Sequence, residues 1–106
     1  MAMRFQTAVL GSDPTVVALV GELDIATAPI AEACLSSIVG DVEIDCSRLE
    51  FVDASGLGLF VSVHSRCEQE ASKVVLVDPP QLLLRLLKIT GLDMSLNVRS
   101  DELPAR

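Results

Sequence analysis

Hydrophobic positions along this chain change their spacing several times, and each change marks a candidate element. An opening strand is predicted around Met3 to Leu10, closed by the turn cluster Gly11-Ser12-Asp13-Pro14. Thr15 to Val20 is a β-branched run ended by Gly21, so the first two strands should pair as a hairpin or short meander. Thr27-Ala28-Pro29 reads as a helix start, with a hydroxyl cap and Pro where its missing N–H costs little. That helix should run to about Val39 and stop at Gly40. Val42 to Cys46 follows as a buried strand, with Ser47 to Glu50 leading into Phe51-Val52-Asp53. From Ala54 to about Glu70 the pattern is helical, and Lys73 to Val77 is the next strand. Asp78-Pro79-Pro80 opens another helix carrying Leu82, Leu83, Leu86 and Leu87, with Gly91 as its C′ residue. A short strand near Ser95 to Val98 precedes a polar tail, about 100–106, expected to fray.

This order predicts an α/β fold: a mixed central sheet of about four to five strands with about three to four helices. At 106 residues the chain is expected to be a single domain over 1–106, with no linker or internal repeat. Half of it is hydrophobic, almost all aliphatic, and Phe5, Phe51 and Phe60 are its three aromatic residues. Few rings are therefore available for stacking bases or sugars. The net charge of −7, with scattered basic residues, argues against a broad nucleic-acid footprint and for a partner that offers basic groups. Cys34, Cys46 and Cys67 have neither metal-ligand nor thioredoxin-like spacing, and fit small buried thiols in a reducing cytosol. The start MAMRFQTAVLG lacks the apolar core of a signal peptide, and no apolar run is long enough to span a membrane. A cytoplasmic protein is expected.

The informative stretch is Phe51-Val52-Asp53-Ala54-Ser55-Gly56-Leu57-Gly58. Asp53 is placed to cap the helix, accepting from the amides of Ser55 or Gly56. Ser55 then falls in the first turn with its hydroxyl outward, near the positive end of the dipole. Gly56 and Gly58 each cost about 1 kcal/mol relative to Ala, so close approach by another backbone or by a partner should offset them. At about 100° per residue, Leu57, Phe60, Val61 and Cys67 gather as a core face with His64 among them. Ser55, Gly58, Ser62, Ser65 and Gln69 fall opposite as a small, uncharged stripe, with Leu59 on its shoulder. Two readings stand at this point: a docking surface beginning at a serine, or a plain helix cap.

Enzyme chemistry is poorly supported. D-A-S-G-L does not match the G-x-S-x-G elbow, and His64 lies about 180° round the helix from Ser55, too far to act as its base. Gly56-Leu57-Gly58 lacks the third glycine of a dinucleotide fingerprint, and no Walker lysine is present. Asp24 and Asp53 both follow strands and could lie at one end of a parallel sheet, but capping and loop roles explain them without a metal. No cofactor, metal or catalytic residue is expected.

Gly21-Glu22-Leu23-Asp24, Asp45-Cys46-Ser47, the stretch from Phe51 to Gly58, and Leu86-Leu87 with Thr90-Gly91-Leu92 resemble the hallmarks of the STAS domain. The likeness covers roughly Val16 to Val98, and the stand-alone members of that family are bacterial anti-sigma-factor antagonists. It implies helices mainly on one side of the sheet. It also implies that the chain binds an anti-sigma factor that is itself a serine kinase, so that a sigma factor is released. By the same resemblance, phosphorylation is expected to fall on Ser55 and to switch binding off, with a serine phosphatase restoring it. Ala54 departs from the many members that carry a second Ser or Thr there, which leaves the acceptor in place. The surface expected to meet the partner is Asp24, Asp53, Ala54, Ser55, Gly56, Gly58, Leu59, Ser62 and Ser65, with no direct role for nucleic acid or membrane. The alternatives are an unphosphorylated STAS scaffold in a signalling, lipid-transport or transporter complex, and a nucleotide-binding STAS protein.

Overall fold

In the computed structural model, which describes residues 5–101, the two apolar runs at the start of the chain pair antiparallel. They form β1 (Phe5–Gly11) and β2 (Thr15–Leu23). The predicted start at Met3 and most of the tail expected to fray lie outside the described residues. β3 (Val42–Val52), β4 (Val74–Val77) and β5 (Asn97–Arg99) add in sequence order, each parallel to the strand before it. One antiparallel pair on an otherwise parallel sheet is the mixed architecture expected of two leading strands with no helix between them.

β3 is longer than predicted. Ser47 to Glu50, polar except for the buried Leu49, remain in the strand and are accommodated by two register shifts against β2, each leaving an extra residue on β3. Asp45 shapes the first of these bulges, because its Oδ1 accepts from the Ser47 amide at 3.0 Å and the Ser47 hydroxyl at 2.7 Å. The extension matters for function, since it brings Val52 level with Leu23 and sets the two following loops side by side.

Three helices connect the parallel strands: α1 (Ala28–Ser36), α2 (Ala54–Gln69) and α3 (Gln81–Thr90). α1 ends about a turn before the predicted Val39. The Ser36 and Ser37 hydroxyls donate to the Ala33 and Cys34 carbonyls, and the Arg66 guanidinium donates to the Leu35 carbonyl at 3.0 Å. Side chains thus satisfy the terminal carbonyls that a longer helix would have used. Thr27 does not cap α1 through its side chain. Its hydroxyl turns back to donate to the Glu22 carbonyl at 2.7 Å and accepts from the Asp24 amide at 2.9 Å. α3 ends at Gly91 in the left-handed conformation (φ 79°), as its glycine predicted.

Val17 and Leu19 of β2, Ile44 and Cys46 of β3, and Leu76 of β4 share one face. They form a single buried cluster with Ala31 and Leu35 of α1, Leu57, Phe60 and Val63 of α2, and Leu83 and Leu87 of α3. All three helices therefore cover the same side of the sheet. Glu43, Asp45 and Val75 alternate with these positions and point to the other side. There Arg99 of β5 reaches across β4 to bind Glu43 through two N–H donors, at 2.9 and 3.0 Å, and also holds Asp101. The bond from Arg99 keeps the Asp101 carboxyl below the usual range. Because the folded value is depressed, this link is fully present above the ordinary carboxylate pKa and fails as pH falls through the folded value. Amides of β5 are expected to lose exchange protection on such acidification before those of β2 and β3; equal loss in all three would contradict it.

Candidate functional site

Residues that follow parallel strands collect at the strands' carboxyl end. With Leu23 paired to Val52, the Asp24 and Asp53 loops lie there together, and the Asp53 amide donates to the Leu23 carbonyl at 3.2 Å. The Asp24 carboxylate serves its own loop: Oδ1 accepts from the Ala26 and Thr27 amides at 3.0 and 3.1 Å. Its carbonyl accepts from Ala28 at 2.8 Å, which starts α1. Among the described residues no cluster of carboxylate, histidine or thiol groups could hold a metal ion.

Asp53 is the N-cap of α2, as its position predicted. Its backbone is extended, and its carboxylate accepts from the Ser55 amide at 2.8 Å and, at 3.4 Å, from Gly56. Asp53→Ala should cost about 1 kcal/mol through the lost cap. Chemical denaturation checks this, and an unchanged midpoint would show the cap contributes nothing.

Gly56 and Gly58, grouped together on the expected partner surface, have opposite surroundings. Gly56 is buried, and a Cβ there would lie 2.8 Å from Val52 Cγ1 and 2.9 Å from Leu23 Cδ2. It lets α2 sit directly on the ends of β2 and β3, so it faces the core instead of a partner. Gly58 is exposed, with nothing within 4 Å of the same position.

The outward stripe needs redrawing around this geometry. Ser55 is half-buried, not fully outward, and it lines a shallow open groove of about 380 Å³ with Gly58, Leu59 and Ser62. The opposite wall comes from Ile25 and from α1: Ala28, Pro29 and Glu32. Sequence reasoning missed this wall. Its one visible signal was Ile25, an apolar residue directly after the Asp24 turn, which is 78% exposed. Leu59, placed on the shoulder, is 4% exposed because α1 packs beside α2. Val61, placed in the core, is at the surface, and Val63 takes its place inside. Ala54 and Ser65 are exposed but do not line the groove. His64 is half-buried, with Nε2 3.4 Å from Glu68 Oε2, within the same helix.

Cys46 and Cys67 are buried and Cys34 half-buried, and all three are free thiols. Burial pushes the Cys46 thiol well above its ordinary value, with Asp45 adding to the effect, so it stays protonated.

A serine on the wall of an open groove, in the first turn of a helix capped by Asp53, is the central feature of this small α/β domain. A family model described as "Mlab, STAS domain" matches residues 7–99, and the chain belongs to the STAS domain family. An anti-sigma-B factor antagonist of Listeria monocytogenes is 33% identical over 88 residues, which cover 77% of this chain and 75% of that protein. An anti-sigma factor antagonist from Mycobacterium paratuberculosis superposes with a TM-score of 0.80 at 27% identity, covering 90% of this chain and 85% of that one. SpoIIAA shares the fold at 24% identity: its unphosphorylated form gives a TM-score of 0.74, covering 92% of this chain and 89% of that one. Its phosphorylated form gives 0.69, covering 92% of each.

Proposed function

We propose that this chain is an anti-sigma-factor antagonist whose unphosphorylated form docks an anti-sigma factor in the groove between α1 and α2, releasing a sigma factor. The observation that carries the reading is the Ser55 side chain on the wall of that open groove, one residue inside a capped helix N-terminus. Apart from Glu32, the groove is lined by small and apolar groups, which permit close approach by another protein surface. Its relatives' names as anti-sigma-factor antagonists support the same partner class.

In this proposal the partner is also a serine kinase that phosphorylates Ser55, and a serine phosphatase reverses the step. The phosphate adds about −1.5 to −2 charges and three acceptor oxygens. A helix N-terminus favours an anion, so the fold should tolerate it. The Ser55 and Gly56 amides already serve Asp53, however, and Glu32 stands on the facing wall. The new charge therefore meets like charges and fills a groove that the partner needs. The protein acts by binding in the cytoplasm and catalyses no reaction. No helix among the described residues is long and apolar enough to cross a membrane.

Incubation with the kinase and ATP should add one phosphate to the wild-type chain and none to Ser55→Ala, read by intact-protein mass spectrometry. Phosphate on another residue, or on both proteins equally, would remove the switch. A second reading is an unphosphorylated STAS scaffold. It predicts no phosphate under these conditions and a stable complex that is indifferent to Ser55→Asp.

A further inference from the structure

We infer that the outward face of α3 is a second docking surface, for a short segment of another protein that carries acidic side chains among apolar ones. α3 buries Leu83 and Leu87 in the core. At about 100° per residue, Leu84, Lys88, Gln81, Arg85 and Ile89 follow one another round the side that faces away from it. This puts two cations within the face and an apolar residue at each edge. Leu84 is 39% and Ile89 74% exposed. These residues line a shallow open groove of about 360 Å³, which Asp93 closes beyond the end of the helix. It shares no residue with the groove beside Ser55, so the two can be occupied independently.

Charge selects the occupant. Among the described residues, Arg66 donates to the Leu35 carbonyl and Arg99 is held by Glu43 and Asp101, while Arg48 and Lys73 lie apart on β3 and ahead of β4. Arg85 and Lys88 are about one helical turn apart, and neither has an ion pair or a side-chain hydrogen bond among the described residues. Lys88 is in the last turn, where the helix dipole itself favours a cation, but Arg85 is in mid-helix and has no such role. Acidic residues of a partner supply the missing counter-charge to both, and their apolar neighbours cover Leu84 and Ile89. A long polyanion or an anionic membrane would extend over the rest of a chain whose net charge is −7 and be repelled there. A short segment meets only the charges within about 10 Å, the screening length at about 0.1 M salt. The contact is small, so binding should be weak and sensitive to salt.

The test follows amide chemical shifts of the isotope-labelled full chain during titration with a short helical peptide of Leu, Glu and Ala that carries its Leu and Glu on one face. The shifts should concentrate on α3 and leave α1 and the start of α2 unmoved, and affinity should fall severalfold as salt rises from about 0.05 to 0.3 M. Arg85→Glu and Lys88→Glu should each weaken binding about fivefold or more, through one lost attraction and one new repulsion. Arg48→Glu makes the same change in net charge at an exposed site on β3 and should leave the affinity nearly unchanged. Ile89→Ser should weaken binding about threefold or more, because the apolar edge loses its cover. No binding at about 1 mM peptide would overturn the proposal. So would equal binding of a peptide with Lys in place of Glu, equal effects of Arg85→Glu and Arg48→Glu, or shifts centred on the Ser55 groove. Co-sedimentation with vesicles of equal parts phosphatidylserine and phosphatidylcholine, abolished by Arg85→Glu, would also overturn it, since the face would then be a membrane contact.

Discussion

Ser55→Asp and Ser55→Glu are expected to bind the anti-sigma factor roughly 30- to 4,000-fold more weakly than the wild type, corresponding to about 2–5 kcal/mol. Ser55→Ala should bind at least as well as the wild type and be insensitive to kinase. The effect is electrostatic and local. An added carboxylate at residue 55 sits beside Asp53, on a groove wall that faces Glu32, and docking would bury it without a counter-charge. The far-ultraviolet circular dichroism of all three variants should match the wild type, because the cap on α2 is made by Asp53 and not by the serine hydroxyl. Calorimetric titration with the purified anti-sigma factor supplies the affinities. Equal binding by the three variants would take Ser55 out of the mechanism while leaving the fold assignment intact.

The second large effect separates two glycines that look alike in sequence. Gly56→Ala places a methyl group 2.8–2.9 Å from Val52 and Leu23, both nearly or fully buried, so neither can yield without disturbing the strand ends. Overpacking of this kind costs about 1–3 kcal/mol, against which the better helix propensity of Ala recovers up to about 1 kcal/mol. A net loss of about 1–2 kcal/mol should lower Tm by roughly 5–10 °C. Gly58→Ala has open space at the same atom and should be stabilising by up to about 1 kcal/mol, while adding a methyl group to the groove wall. The expected signature is thermal shifts of opposite sign for the two variants. Shifts of the same sign would mean that the contact around Gly56 relaxes easily and that its burial is incidental.

Different parts of the site were visible to different kinds of reasoning. The Asp53 cap and the α2 start were legible because they are local: a carboxylate reaches amides two and three residues on, whatever the remainder of the chain does. The end of α1 was less so. It is decided in part by Arg66, which donates to Leu35 from another helix, and no periodicity in residues 27–40 encodes that donor. The Ile25 and α1 wall of the groove had the same character. Ala28, Pro29 and Glu32 read as an ordinary helix start, and they acquire meaning only because α1 packs beside α2.

Sequence by itself determined the order of strands and helices, the mixed sheet, the cap at Asp53 and the place of Ser55 in the first turn of α2, because these follow from local propensity and periodicity. Tertiary structure alone decided that Gly56 serves the core while Gly58 serves the surface, and that Leu59 is covered while Val61 is not. It also decided that Ser55 looks into a two-walled groove. The reason is that burial is set by which neighbouring element occupies the space over a side chain. A helical wheel fixes the relative directions of side chains on one helix, but the direction of the core and the position of the next helix come from packing.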